Sequence, residues 1–249
     1  MAEAYKFPTE MVDLPSKGYF YPDGHPLTSG KVEIKYMTAR EEDILTSQNL
    51  IQQGTVIDKL LESLIVDKSI DINDMLIGDK NAIMVSARIL GYGKEYEFTY
   101  DDEEHTADLS VLEPVDLDFS KFTKGVNQFT LDLPSSKRTI TFKLLVGRDE
   151  KEISKEIEAR KKINKHHSSE LTTRLKKMIL SVDGNSEKSH INNFVDNEFL
   201  SRDSLAFRVY LAKVTPDVDM NITVVDSTGK ENKVAIPVTI RFFWPTAGV

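Results

Sequence analysis

The chain has 249 residues, 40% of them apolar and 29% charged, a balance that belongs to a folded protein and excludes the disordered class. Its formal net charge of -8 argues against a primary nucleic-acid binder, because phosphate recognition needs clustered Lys and Arg. No cysteine is present, which excludes disulfides and thiolate metal ligands, and neither a long apolar run nor a signal core behind Met1-Ala2-Glu3 is seen, so the sequence predicts a protein made in the cytoplasm with no membrane partner.

Residues 1–30 alternate Pro8, Pro15, Pro22 and Pro26 with Gly18, Gly24 and Gly30, and this predicts an extended N-terminal arm that packs through Tyr19, Phe20 and Tyr21. Lobe 1, residues 31–112, opens with an alternating strand (Val32, Ile34, Tyr36). Thr38-Ala39-Arg40-Glu41 then has the spacing of a capping box and predicts a helix start. Ile57, Leu60, Leu61, Leu64 and Ile65 form a helical stripe ending on Ile65-Val66-Asp67. Asp79 reads as the cap of a helix that is apolar almost all round from Ala82 to Leu90 and ends at Gly91. Tyr96, Phe98 and Tyr100 alternate before the polar turn Asp101 to Glu104, and Ala107 and Leu109 resume the alternation, as a hairpin does.

Residues 113–128, with Pro114 and Gly125, read as a linker. Lobe 2, residues 129–249, repeats the order: a strand (Ile140, Phe142, Leu144), then Arg148-Asp149-Glu150, then a charged helix to Lys165 with Glu156/Arg160 and Glu158/Lys162 at supportive i, i+4 spacing. That helix reads as a solvated face or as a partner-binding surface. Leu171, Leu175, Met178, Ile179 and Val182 make the second amphipathic stripe, ended by the turn Asp183-Gly184-Asn185. Leu205, Ala206, Phe207, Val209, Tyr210, Leu211 and Ala212 predict a second buried helix launched by Asp203 and interrupted by Arg208. A hairpin of Met220, Ile222 and Val224 against Val234, Ile236, Val238 and Ile240 runs through Asp226-Ser227-Thr228-Gly229 and ends the chain on Phe242-Phe243-Trp244-Pro245.

The parallel order, opening on Leu14-Pro15-Ser16-Lys17 and again on Leu133-Pro134-Ser135-Ser136, reads as an internal duplication of a unit of about 115 residues, too long for a solenoid repeat. The predicted fold class is therefore α+β, two similar lobes, each a small antiparallel sheet packed against about three helices.

The candidate chemistry is sparse. His25, His105, His166, His167 and His190 are scattered without zinc-ligand spacing. There is no G-x-S-x-G elbow and no P-loop, and Gly91-Tyr92-Gly93 leaves a helix where a dinucleotide fingerprint would open one. Asp101, Asp102, Glu103 and Glu104 lack the spacing of a calcium loop and read as a solvated tip. Arg40 and Arg148, each followed by acids, read as local salt bridges or as partner-carboxylate ligands; Arg88 and Arg208, within apolar helices, must pair or snorkel. A carboxylate enzyme built on Asp79 and Asp203 is the remote alternative to two helix caps. No catalytic, cofactor or metal site is predicted. The candidate interface residues are Tyr19, Phe20 and Tyr21 in the arm and Phe242, Phe243 and Trp244 at the end, aromatics that either close a core or anchor another subunit.

Leu14-Pro15-Ser16-Lys17-Gly18-x-x-Tyr21-Pro22, Met37-Thr38-Ala39-Arg40-Glu41-Glu42, Asp71-x-x-x-x-Leu76-x-x-Asp79, Arg88-Ile89-x-Gly91-Tyr92-Gly93 and the closing Phe242-Phe243-Trp244-Pro245 follow one another in order. Together they resemble the T-even-like phage baseplate hub proteins, over nearly the whole chain from Leu14 to Pro245. The resemblance implies a non-enzymatic late protein that acts by protein–protein contact with other baseplate hub proteins, in the host cytoplasm during assembly and then either in the virion as a hub subunit or as a transient assembly chaperone. Members of that family often carry C-x-x-C pairs at their hairpin tips; this chain has Asp101 to His105 and Asp226 to Gly229 there, so polar turns replace any zinc staple.

Overall fold

A computed structural model of the chain describes residues 8–163, 169–225, 229–238 and 240–243. Among them are nine strands and eight α-helices, mixed in the α+β manner. Strand β1 (Thr9–Asp13) pairs antiparallel with β2 (Lys31–Lys35), with Met11 opposite Glu33. Helices α1 (Ala39–Thr46), α2 (Gln48–Gln52) and α3 (Val56–Leu64) follow. Helix α3 buries Val56, Leu60, Leu61 and Leu64, and then the chain straightens, so that Ile65 bridges to Ile34 and adds a third, one-residue rung to the sheet.

Helix α4 (Ile77–Tyr92) is the buried helix of the first half, with Ile83 fully enclosed. It is longer at both ends than its apolar run. Asp79 sits at the third helical position behind the capping residue Leu76, and the helix runs through Gly91 to Gly93, whose positive φ of 83° ends it. Strands β3 (Glu95–Tyr100) and β4 (Glu103–Asp108) form the expected hairpin, Tyr100 opposite Glu103. Asp101 and Asp102 both have positive φ, 53° and 62°, the geometry of a tight two-residue turn.

Strands β5 (Phe129–Asp132), β6 (Thr139–Phe142) and β7 (Ile179–Val182) make a three-stranded sheet in that order. Helix α5 (Gly147–Ile163) is the charged helix, and its Glu156 and Arg160 pair at 2.6 Å. Helix α6 (Glu170–Met178) ends before Ile179. Ile179 and Val182, expected on a helical stripe, instead extend as β7, because β6 offers an unpaired edge: Lys143 N–H donates to Met178 O at 2.9 Å. Helix α7 (Lys188–Asn193) and a π turn (Phe194–Glu198) lead into α8 (Ser201–Val214). Strands β8 (Asn221–Val225) and β9 (Glu231–Ala235) close the second hairpin, with Ile222 opposite Val234. The last strand stops at Ala235, and Ile240–Phe243 turn as a 3-10 helix where a strand was expected; the joint at 226–228 and residues 244–249 lie outside the described residues.

One buried core runs through both halves. Phe20 packs on Phe119, Phe122 and Phe129 with centroids 5.3 to 6.0 Å apart, so the proline-rich arm, the 113–128 segment and β5 share one aromatic cluster. The backbone also crosses between halves: Arg148 N–H donates to Asn73 O at 2.7 Å, Val115 N–H to Asp217 O at 2.8 Å, and Asp219 N–H to Glu113 O at 2.9 Å.

Candidate functional site

The most enclosed polar centre lies where the arm meets α4. Both carboxylate oxygens of Asp79 are taken: the Ser16 amide donates to Oδ1 at 2.9 Å, and the Ser16 and Tyr21 hydroxyls donate to Oδ2 at 2.6 Å each. Tyr21 Oη in turn accepts from the Leu76 amide at 2.9 Å, and Ser16 Oγ accepts from Gly18 N–H at 3.1 Å. Asp79 and Ser16 have no exposed surface. Burial pushes the Asp79 carboxyl above the usual range, against the pull of its Ser16 and Tyr21 donors, and the charge of Asp217 adds to the rise. Burial and the facing Asp79 push the Tyr21 phenol up as well.

The second half builds the same contact with fewer donors. Asp203, also at the third position of its helix, accepts from the Ser135 amide at 2.7 Å and the Ser136 amide at 2.9 Å. Burial would raise its pKa, but these donors outweigh it and hold the carboxyl below the usual range. Each Leu-Pro-Ser turn closes on itself, the second being one residue longer: Lys17 N–H donates to Leu14 O at 2.8 Å and Lys137 N–H to Leu133 O at 3.1 Å, with Lys17 and Lys137 at positive φ. The two aspartates were expected to cap their own helices. The residues preceding the helices are Leu76 and Leu200, and the carboxylates instead fasten a turn from a distant part of the chain.

A second matched pair stands at the start of α1 and α5. Glu41 accepts from Thr38 N–H at 2.9 Å, as the capping spacing predicts, and also from Lys35 Nζ at 2.7 Å and Ser63 Oγ at 2.6 Å. Burial works against these donors, which nonetheless hold its pKa down at about 2. Asp149 likewise accepts from Val146 N–H at 3.2 Å and Lys143 Nζ at 2.7 Å.

The candidate interface aromatics sit mostly inside the chain. Phe20 and Tyr21 are buried, Tyr19 is half-buried with its hydroxyl donating to Phe122 O at 3.0 Å, and Phe242 and Phe243 have no exposed surface. Phe242 meets Tyr96 with centroids 5.1 Å apart, so the Ile240–Phe243 turn packs on the β3–β4 hairpin. These rings are thus committed to the core in this conformation; Trp244 lies outside the described residues.

The arginines take different roles. Arg148 reaches Asp74 at 2.5 Å and not the acids that follow it, while Arg40 lines an open groove with Glu33, Lys59 and Lys68. Arg88 makes no carboxylate pair among the described residues: it donates to Gly93 O at 2.7 Å and Glu95 O at 3.0 Å beneath the rings of Tyr92 and Tyr96, tying the C-terminal end of α4 to the hairpin. Arg208 is exposed. His25 stacks on Tyr21 and accepts from Leu27 N–H, and His190 lies 3.3 Å from Arg138; His166 and His167 are outside the described residues. Neither Asp79 nor Asp203 lines the groove beside Arg40 or the one between β4 and β8, and no group of metal-ligand residues occurs among the described residues.

One feature escaped the sequence. Helix α8, expected to be buried, exposes Leu205 (53%) and Val209 (50%) one turn apart. The signal was the placement of Arg202, Arg208 and Lys213 around that face, since three basic residues within one helix cannot all turn inward.

What the polar centres do is fasten distant segments of the chain to one another, in a protein of the α+β class. The family model for T4 bacteriophage base plate proteins matches residues 9–244, and the chain belongs to that family. No curated protein and no solved structure matches it.

Proposed function

We propose that the chain acts without catalysis in the assembly of the central baseplate hub of a phage tail, through contacts with other baseplate hub proteins. The family match over residues 9–244 carries the reading, because it spans both halves and every motif from Leu14-Pro15-Ser16 to Phe242-Phe243. The net charge of -8, and the lack among the described residues of a helix long and apolar enough to cross a membrane, fit a role played by protein surfaces. On this reading residues 31–112 and 129–249 are two similar lobes of a duplicated unit, a view supported by the paired Ser16–Asp79 and Ser135–Asp203 contacts.

Quantitative mass spectrometry of purified particles against infected-cell lysate tests where the protein works. A fixed small copy number in particles makes it a hub subunit. Abundance in lysate with absence from particles makes it a transient assembly chaperone. Presence in neither tails nor tail intermediates contradicts the reading.

A further inference from the structure

Counted from Asp79 and Asp203, helices α4 and α8 can be compared position by position. On α4, Asn81, Met84, Val85 and Arg88 fall at i, i+3, i+4 and i+7 and so share one face. The start of that face is covered by the other half of the chain, while Arg88 at its far end meets the β3–β4 hairpin of its own half. Asn81 Nδ2 donates to Asp217 Oδ1 at 2.9 Å, the Ile240–Phe243 turn packs against the helix, and Gly78, on the same face, lies so close to Pro216 that a Cβ there would fall 1.9 Å from its carbonyl oxygen. The positions of α8 in the same register are Arg202, Leu205, Arg208, Val209 and Ala212, and all five are exposed. The contrast is sharpest at a residue common to both: Val85 is 7% exposed and Val209 is 50%.

The second half therefore covers the helix of the first while its own equivalent face stays open. The open face carries a specific charge. Arg202, Arg208 and Lys213 border the Leu205–Val209 stripe, and none of them forms an ion pair among the described residues. In a chain of net charge -8, this is a basic, apolar stripe on an acidic protein. The first half offers a complement in charge at the β3–β4 hairpin end, where Asp101, Asp102 and Glu104 are exposed and likewise make no ion pair among the described residues.

We propose that the Leu205–Val209–Ala212 face of α8 docks a second copy of this chain, whose β3–β4 hairpin end occupies the place that residues 216–217 and the Ile240–Phe243 turn occupy on α4. The contact is heterologous, head to tail, so it propagates into a chain or closes into a ring. Burying Leu205 and Val209 supplies its apolar centre, and the facing charges set its orientation and make it weaken with salt.

Sedimentation equilibrium on the full chain, across a range of concentrations and at low and high salt, tests this. The wild type is expected to show a mass that rises with concentration and falls with salt. Leu205→Asp combined with Val209→Asp is expected to weaken the association by about tenfold or more, as is Glu104→Lys on the facing surface. Arg208→Glu, at an exposed helical position, serves as the second test of the α8 face should the double variant lose its circular-dichroism melt. A wild type that stays monomeric throughout, or an association that folded α8 and Glu104 variants leave intact, overturns the proposal.

Discussion

Ser16 and Asp79 stand 63 positions apart, and the serine donates both its amide and its hydroxyl to the one carboxylate, at 2.9 and 2.6 Å. With Tyr21 added, three donors from the arm converge on a side chain that water does not reach. Asp79→Ala leaves all three unsatisfied and is expected to destabilise the fold by about 3–5 kcal/mol. Asp203→Ala orphans only the Ser135 and Ser136 amides and is expected to cost less, about 2–3 kcal/mol. Urea denaturation of both variants checks the order; equal losses would contradict the donor count.

Glu41 and Asp79 respond to acid in opposite senses. The pKa of Glu41 is held down at about 2, below its unfolded value of 4.5, so its contribution is present above pH 4.5 and is lost as the pH falls through about 2. Glu41→Gln is expected to lose about 2–3 kcal/mol at neutral pH, with the deficit closing as the pH approaches 2. The pKa of Asp79 is raised, so its neutral form favours folding, and that contribution is present below the unfolded value and lost as the pH rises through the folded one. The stability gap between the wild type and Asp79→Asn is therefore expected to widen as the pH falls. Denaturation curves at several pH values separate the two slopes.

Two helical glycines of α4 are expected to behave differently. A Cβ at Gly78 meets backbone, 1.9 Å from Pro216 O and 2.7 Å from Asp217 Cα, and neither can step aside. Gly78→Ala is expected to cost about 2 kcal/mol or more through overpacking at the junction of the halves. A Cβ at Gly91 meets only the terminal methyl of Met37, at 2.2 Å, which can swing away, and alanine regains about 0.5–1 kcal/mol of helix preference. Gly91→Ala is expected to fall within about 1 kcal/mol of the wild type. Thermal melts of the two variants decide it.

Much of the fold could be read from local pattern. The capping box at Thr38, the α3 stripe and the hairpin after Tyr96-Phe98-Tyr100 are each set by residues within a few positions of one another, although the turn read over Asp101 to Glu104 is only Asp101-Asp102, with Glu103 and Glu104 already in β4. What was missed depends on distant partners. Ile179 and Val182 carry a helical spacing yet extend because β6 presents an open edge. Asp79 and Asp203 look like caps in isolation, and only the folded chain brings Ser16 and Ser135 to them. Phe242 and Phe243 offered no local clue to whether their cover was internal; Tyr96 supplies part of it from the other half. The α8 face was misread because apolar content was weighed without asking where Arg202, Arg208 and Lys213 would point.

The proposed role in baseplate hub assembly by surface contact requires that hubs fail to form without this chain. Its most direct test is electron microscopy of particles made by the phage after the coding sequence is interrupted. The account predicts tails without a complete baseplate hub and a loss of infectious particles, restored when the intact chain is supplied in trans. Normal baseplates and undiminished infectivity without the protein would contradict it.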